Sequence, residues 1–149
     1  MLSQKTRYAM RALFVLAKHE GDTPLTIGDV SRDAAVPKKF LEQILLDLKR
    51  RGMLRSMRGK HGGYVLGRPA ESIFFAEVIR AIDGPLALSP CVSVTAYQKC
   101  RDCIDETTCA MRLVLLDVRN ATADILENRS LASMLSEKKA ASGRARKTK

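Results

Sequence analysis

The sequence contains no tryptophan, and aromatic residues make up only 5% of its 149 positions. Aromatic side chains are enriched in β-strands, so this scarcity favours a helix-rich fold over a β-sandwich. The N-terminal region also lacks a long apolar run. Its longest, residues 12–17, is too short for a secretory signal and far too short to cross a bilayer. We therefore expect a cytoplasmic protein of about one domain, with no membrane partner.

Patterns that mark an enzyme are missing as well. There is no P-loop, no paired carboxylate site and no Ser/His/Asp set, and neither His19 nor His61 has an evident catalytic partner. One CxxC pair is present, but no thioredoxin-like strand–helix–strand pattern surrounds it. The sequence therefore predicts a protein that is not an enzyme.

The formal charge of +10 is unevenly distributed along the chain. Residues 1–68 carry a net charge of +8, residues 69–137 carry −4, and residues 138–149 carry +6. A basic first half indicates a polyanionic partner for that half. A merely solvated basic surface is the alternative that charge alone leaves open.

The basic half contains a helix-turn-helix pattern. Residues 4–18 have the apolar spacing of an amphipathic helix. Thr26 and Asp29 resemble a capping box that begins a short helix, and Pro37 at a first helical turn begins a longer one that ends near Gly52. Two such helices joined by a tight turn, with the second longer and basic, are typical of DNA-binding proteins.

A β-hairpin is predicted directly after the second of these helices. Residues 53–58 and 64–66 form its strands, and the glycine-rich residues 59–63 form its turn. A hairpin in this position is a wing, and Arg58 and Lys60 lie at its tip. The glycines allow the backbone to approach a phosphate closely.

Six side chains are therefore candidates for contact with double-stranded DNA: Lys38, Lys39, Glu42, Gln43, Arg58 and Lys60. Gln43 can form a bidentate pair with adenine, and Glu42 can accept a hydrogen bond from cytosine. The lysines are suited to neutralising phosphates, which positions a protein on DNA without specifying the sequence.

The only four cysteines of the chain lie close together, at Cys91, Cys100, Cys103 and Cys109. The segment from residue 84 to 105 has no helical or strand period. In a reducing compartment, clustered cysteines bind metal or act as redox groups more often than they form structural disulfides. An iron–sulfur cluster (2Fe–2S or 4Fe–4S), a four-thiolate zinc site and a reversible disulfide are all compatible with this spacing.

The longest predicted helix covers residues 107–128. Its apolar residues Met111, Val114, Val118, Ala121 and Ile125 step by three and four, as in a coiled-coil seam. We expect this seam to pack against its twin in a homodimer, since helix-turn-helix proteins commonly pair to bind two half-sites of a palindrome. Packing within its own domain is the alternative.

Several short runs occur in an order and spacing that resemble one known family. They are Lys5-Thr6-Arg7-Tyr8-Ala9, residues 40–45, Gly62-Gly63-Tyr64, Ile82-Asp83-Gly84 and Ser130-Leu131-Ala132. Over about residues 1–135 the chain resembles the Rrf-two family of winged-helix transcription regulators, of the IscR, NsrR, RirA and CymR type. The resemblance implies a dimeric bacterial DNA-binding repressor or activator, with Arg58 in the minor groove.

The same resemblance implies a cluster site. Many members hold an iron–sulfur cluster on three cysteines, which here look like Cys91, Cys103 and Cys109. In one branch a histidine three residues after the last cysteine completes the set, and this sequence has Arg112 there. Other branches use an acidic residue near the N-terminus of the partner chain, and residues 7–9 offer none. Cys100 is the candidate that remains for the fourth ligand.

We therefore predict a mainly α fold with a small β-wing, a winged helix-turn-helix followed by a long C-terminal dimerisation helix. The expected divisions are residues 1–84 for the DNA-binding domain and 85–106 for a cysteine-rich sensor loop. Residues 107–135 then form the dimerisation helix and a last turn, and residues 136–149 a disordered basic tail.

Overall fold

A computed structural model describes residues 2–19 and 23–137, and it confirms the mainly helical fold with a two-stranded wing. The elements are α1 (Gln4–Lys18), α2 (Ile27–Ala34), α3 (Lys38–Arg50), β1 (Leu54–Met57), β2 (Gly63–Leu66), α4 (Phe75–Ile82) and α5 (Ala110–Glu127). One-turn 3-10 helices occur at Ala70–Ser72 and Pro90–Val92, and residues 131–137 are helical. Among the described helices, none combines the length and the apolar character needed to cross a membrane.

Side chains close to each helix start fix the beginnings of α1 and α2. The Ser3 hydroxyl accepts a hydrogen bond from the backbone N–H of Thr6. Thr26 and Asp29 form the predicted capping box, in which each side chain accepts from the other residue's backbone N–H. His19 is the C-cap of α1. Of the predicted tail, residues 136–149, the first two are helical in the structure, and residues 138–149 lie outside the described residues.

The core lies between α1, α2 and α3 and extends to the wing and α4. Its largest fully buried side chains are Leu13, Leu41, Ile44, Leu45, Leu48, Met53, Ile73 and Leu131. Leu131 belongs to the stretch after α5, and its backbone N–H donates to the Ile73 carbonyl at 2.7 Å. The chain therefore returns to the winged head after α5, so that α5 is anchored to that head at its C-terminal end.

Two predicted helix starts differ from the structure, and the strands of the wing cover residues 54–57 and 63–66 rather than 53–58 and 64–66. Pro37 is the N-cap of α3 rather than part of its first turn, because its ψ of 133° is not helical. The helix α5 begins at Ala110 and not near residue 107. The reason is Asp105, whose carboxylate accepts hydrogen bonds from the Thr107 N–H and from the hydroxyls of Thr107 and Thr108 and so holds these residues in a turn.

Candidate DNA interface and cysteine loop

The turn between α2 and α3 sets the direction of the second helix. Ala35 caps α2 in the left-handed conformation, with φ of 51° and ψ of 50°. Val36 is buried directly after it, and its N–H donates to the Ser31 carbonyl at 3.1 Å. The Ser31 hydroxyl donates in return to the Val36 carbonyl at 2.8 Å. This tight turn makes α2 and α3 one rigid helix-turn-helix unit.

The exposed face of α3 carries four of the six predicted DNA contacts. Lys38, Lys39, Glu42 and Gln43 are all exposed in its first two turns, because the opposite face buries four aliphatic side chains in the core. The structure therefore presents these four polar side chains together on the outward surface of one helix.

The other two predicted contacts lie at the tip of the wing. Strands β1 and β2 pair antiparallel from Leu54 opposite Leu66 to Met57 opposite Gly63. Arg58 and Lys60 follow β1 and are exposed. Gly59 between them has φ of 116°, a conformation that side chains with a Cβ rarely adopt. The glycine at this position permits the sharp reversal that exposes both basic side chains.

The segment before α2 attaches the wing to the helix-turn-helix unit. Leu25 and Tyr64 form an antiparallel bridge, in which the Leu25 N–H donates to the Tyr64 carbonyl at 3.0 Å and the Tyr64 N–H donates back at 2.8 Å. A Cβ atom on Gly63 would lie 2.3 Å from the Leu25 carbonyl oxygen. No pattern in the sequence predicts this bridge, although the glycine at position 63 permits it.

A polar contact between α1 and α3, absent from the predicted set, lies beside Gln43. Lys5 Nζ is 2.7 Å from Asp47 Oδ2, and Gln43 Nε2 donates to Asp47 Oδ1 at 2.8 Å. Arg50 Nη1 lies 3.6 Å from the same Oδ1. The hydrogen bond from Lys5 is the main cause that holds the pKa of Asp47 below its ordinary value of 3.8.

The same two helices enclose an open cleft of about 410 Å³ beside Gln43. Its walls include Phe40 and Tyr8, whose ring centroids are 5.9 Å apart. Lys39 Nζ lies 5.1 Å from the centre of the Phe40 ring, within the range of a cation–π interaction. Phe40 itself is 47% exposed, on the same side of α3 as the predicted DNA contacts Lys39 and Gln43.

Cys91 and Cys100 are connected through one serine in the cysteine loop. Cys91 is buried in the one-turn helix Pro90–Val92. The Ser89 hydroxyl lies 3.4 Å from Cys91 Sγ and 3.8 Å from Cys100 Sγ, which is hydrogen-bonding distance for sulfur. Ser89 was not singled out from the sequence, and it brings together two cysteines that are nine positions apart.

Cys100, Cys103 and Cys109 line one open cleft of about 400 Å³ at the start of α5, together with Ile104 and Met111. The Cys103 N–H donates to the Cys100 carbonyl at 3.2 Å, which closes the CxxC segment into a turn. Partial burial is the main cause that raises the pKa of the Cys103 thiol. Cys109 is the N-cap of α5, so this cleft adjoins the helix directly.

The side chains of this loop fit a thiolate-bound group in their chemistry, although they are not gathered around one point. Within residues 2–19 and 23–137, no three His, Cys, Asp or Glu side chains are close enough together to hold a metal ion. The four cysteines are free thiols. Arg112 Nε is buried, and the described residues offer it no acceptor. An unsatisfied cationic donor three residues after Cys109 suits an anionic group on this side of the loop.

In the part of the chain that the structure describes, the side chains of the predicted coiled-coil seam of α5 are exposed to solvent. Met111, Val114, Val118 and Ile125 are 66%, 63%, 41% and 61% exposed, whereas Ala123 on another face is buried. The helix therefore packs on its own domain through a face other than the seam.

Comparison with known proteins gives the family. Residues 2–137 match the model of the Rrf2 (Rrf-two) family, described as an iron-dependent transcriptional regulator. An rrf2-like HTH-type transcriptional regulator of Rhodobacter capsulatus is 40% identical over 138 residues, which are 91% of this chain and 92% of the relative. The regulator IscR of Vibrio parahaemolyticus is 32% identical over 136 residues, which are 91% of this chain and 77% of that regulator.

A solved structure agrees with these relatives. CymR, the global cysteine regulator of Bacillus subtilis, superposes with a TM-score of 0.74 at 27% identity and covers 92% of this chain and 97% of its own. The similar proteins are transcriptional regulators, which confirms the prediction that the chain is not an enzyme. With its exposed basic helix and wing, the chain belongs to the Rrf2 family of DNA-binding transcriptional regulators.

Proposed function

We propose that the chain acts as a homodimer on a palindromic operator, and that an iron–sulfur cluster in the cysteine loop controls its affinity for DNA. One observation carries this proposal. Three of the four cysteines line a single cleft at the N-terminus of α5, the helix whose apolar seam is uncovered. Any change at the cysteines therefore acts next to the surface that would join two DNA-binding heads.

In this proposal α3 contacts the major groove of DNA and the wing contacts the minor groove. Gln43 and Glu42 contact base edges in the major groove, while Lys38 and Lys39 neutralise phosphates. Arg58 enters the minor groove, and Lys60 contacts a phosphate beside it. The exposure of all six side chains supports these roles.

A binding experiment tests whether the proposed residues of α3 and the wing contact DNA. The DNA duplexes are those that the wild-type protein selects from a randomised pool. We expect Gln43→Ala and Arg58→Ala each to weaken binding by about 1–3 kcal/mol, the usual size of a lost base contact. Arg129→Ala removes an exposed arginine after α5, outside α3, the wing and the cysteine loop, and is the matched control, with little effect expected. Affinity should also fall steeply with salt. Unchanged binding by both reading variants would show that the proposed surface is wrong.

The cysteines are proposed as the ligands, with Cys91, Cys103 and Cys109 in the positions of the family set and Cys100 as the fourth. A cluster, when bound, supplies redox chemistry to the site. Cys109 caps α5, so a displacement of its sulfur is passed to that helix. The end of α5 is fixed to the winged head through Leu131, and the displacement therefore changes the relative placement of the two heads. Such coupling requires two states that differ in DNA affinity.

Anaerobic purification with iron, sulfide and zinc measured per subunit tests this assignment. A brown protein that contains iron and sulfide and absorbs near roughly 400 nm supports the cluster. A colourless protein with one equivalent of zinc supports a structural four-thiolate site instead and contradicts the sensing proposal. Replacing Cys100 with serine identifies the fourth ligand, because loss of iron is expected only if this cysteine is required.

A metal-free thiol switch is the second candidate, and Ser89 favours it. Its hydroxyl lies within hydrogen-bonding distance of both the Cys91 and the Cys100 sulfur. A disulfide would form as two thiols lose two protons and two electrons to hydrogen peroxide, which is reduced to water. Mass spectrometry of metal-free protein before and after peroxide tests this. A peptide pair that loses two hydrogens reversibly supports the switch, and thiols that remain unchanged exclude it.

A further inference from the structure

Asp47 lies on α3, the helix proposed to contact base edges, and both of its carboxylate oxygens accept hydrogen bonds within the protein. Asp47 lies one turn after Gln43, with Oδ1 accepting from Gln43 Nε2 and Oδ2 bound to Lys5 Nζ. Only 17% of the Asp47 side chain is exposed, whereas Gln43 is on the exposed surface. The contact therefore joins a half-buried acid to a side chain that is placed to touch DNA.

The chemistry of this contact fixes which end of the Gln43 amide faces Asp47. An ionised carboxylate only accepts hydrogen bonds, so the amide must turn its NH₂ group towards it. Lys5 and Arg50 both favour the ionised form of Asp47. One of the two Nε2 hydrogens is thereby used within the protein. The other hydrogen and the Oε1 acceptor remain for an external partner.

We propose that Asp47, held by Lys5, is a positioning residue that keeps the Gln43 amide in the orientation that matches adenine. The inference rests on the proposed role of α3 as the reading helix. In the major groove adenine offers the N7 acceptor and the N6 amino donor. The free Nε2 hydrogen and Oε1 of Gln43 form the complementary pair.

The same arrangement disfavours guanine at this position. Guanine presents two acceptors, O6 and N7, in the major groove. A glutamine that binds both must direct its amino group at them and turn its oxygen away. Asp47 competes for that amino group, so the side chain would have to give up an internal hydrogen bond. Discrimination then comes partly from a residue that does not touch the base.

Lys5 makes the arrangement compatible with a DNA surface. A carboxylate close to phosphates repels them, and this cost is lower when a cation lies next to it. Lys5 lies on α1 and meets Asp47 at 2.7 Å, so two helices contribute to the orientation of one reading side chain. The Asp47 side chain therefore acts on the sequence preference more than on the total affinity.

Selection of duplexes from a randomised pool by the full-length protein tests the proposal. The wild-type preferences are compared with those of Gln43→Ala, Asp47→Ala and the double variant. The base position that Gln43 reads is the one whose preference disappears in Gln43→Ala. At that position we expect adenine in the wild type, and a preference over guanine that falls by about tenfold in Asp47→Ala.

Two controls separate positioning from charge and from folding. Asp33→Ala removes an exposed carboxylate from α2 and should alter the affinity for all sequences alike. The double variant should have the same preferences as Gln43→Ala, because Asp47 acts only through that side chain. Thermal unfolding of Asp47→Ala should show a folded protein, and its total affinity should not fall.

Three outcomes would overturn the inference, and they are distinguishable. If Asp47→Ala keeps the full preference for adenine, Asp47 does not position the amide. If the wild type prefers another base at the Gln43 position, the reading role stands and the adenine match is wrong. If Gln43→Ala changes no preference at all, the proposed reading role of Gln43 fails, and the positioning role fails with it.

Discussion

At Gly63 the wing passes so close to the segment before α2 that a Cβ atom would lie 2.3 Å from the Leu25 carbonyl oxygen. We expect Gly63→Ala to lower the free energy of unfolding by about 1–3 kcal/mol, since backbone must move to relieve the overlap. Gly28→Ala is the matched control. Its Cβ would have nothing nearer than 3.6 Å, and alanine favours the helix by roughly 0.5–1 kcal/mol. Urea unfolding measures both, and a Gly63→Ala variant as stable as the wild type would contradict the bridge.

Ala35 holds a backbone conformation that suits glycine better. Its φ of 51° places it in the left-handed region at the end of α2. We expect Ala35→Gly to stabilise the protein by up to about 1 kcal/mol, because glycine has no steric cost there. The neighbouring Ala34→Gly should destabilise instead, since Ala34 is helical and buried. Thermal unfolding of the pair checks both signs, and equal effects would show that Ala35 is not strained.

The residues of the proposed DNA-contacting surface were predictable only in part. Gln43 could be placed on the outer face of a helix because its neighbours repeat with helical spacing. Asp47 was overlooked, although it lies four positions later, because its role depends on Lys5 from a helix that is distant in sequence. Ser89 was overlooked for a similar reason, because its role depends on its contacts with the sulfurs of Cys91 and Cys100 in the folded chain.

At the scale of elements, local signals were sufficient for the winged head. The limits of α1 match the prediction, and the capping box at Thr26 starts α2 as expected. These features depend on residues a few positions apart. The internal arrangement of the cysteine loop could not be predicted, because the segment has no periodicity and its contacts, such as that between Ser89 and Cys100, are set by the folded backbone.

The exposed seam of α5 gives a test of the proposed dimer. We expect Val114→Glu to yield a folded monomer, because a carboxylate in the seam would be buried against its twin without a partner. Sedimentation velocity measures the oligomeric state, and circular dichroism confirms the fold. Asn120→Glu adds the same group to an exposed position between Asp117 and Asp124 and should leave the dimer intact. A Val114→Glu variant that stays dimeric would mean that the subunits meet elsewhere.

For the whole molecule, acid should destabilise the fold through a few specific carboxylates. The pKa of Asp29 is lowered mainly by the Thr26 hydroxyl, that of Asp47 mainly by Lys5, and that of Asp105 mainly by the Thr107 N–H. Each therefore binds a proton less readily in the folded chain than in the unfolded one.

The sign of the effect follows from linkage. Groups whose pKa is lowered on folding contribute stability that is complete above the ordinary value of 3.8 and is lost as the pH falls through the lowered values. We expect the melting temperature to be steady with respect to these groups near neutral pH and to drop below about pH 4. Thermal scans across this range measure it. In Asp47→Asn the drop should be smaller, and an unchanged drop would assign the effect to other groups.

With the proposed DNA contacts of α3 and the wing, the bridge between Leu25 and Tyr64 also constrains the promoters that the protein can use. A wing tied to the chain that enters α2 cannot be repositioned independently of α3. Inserting one base pair shifts the neighbouring groove by about 3.4 Å and turns it by roughly 35°. Inside a half-site, such an insertion would separate the two places that helix and wing touch, whereas a substitution removes one contact at most. Promoter mutations should therefore fall into two genetic classes, with single-base insertions behaving as null alleles and substitutions giving graded expression.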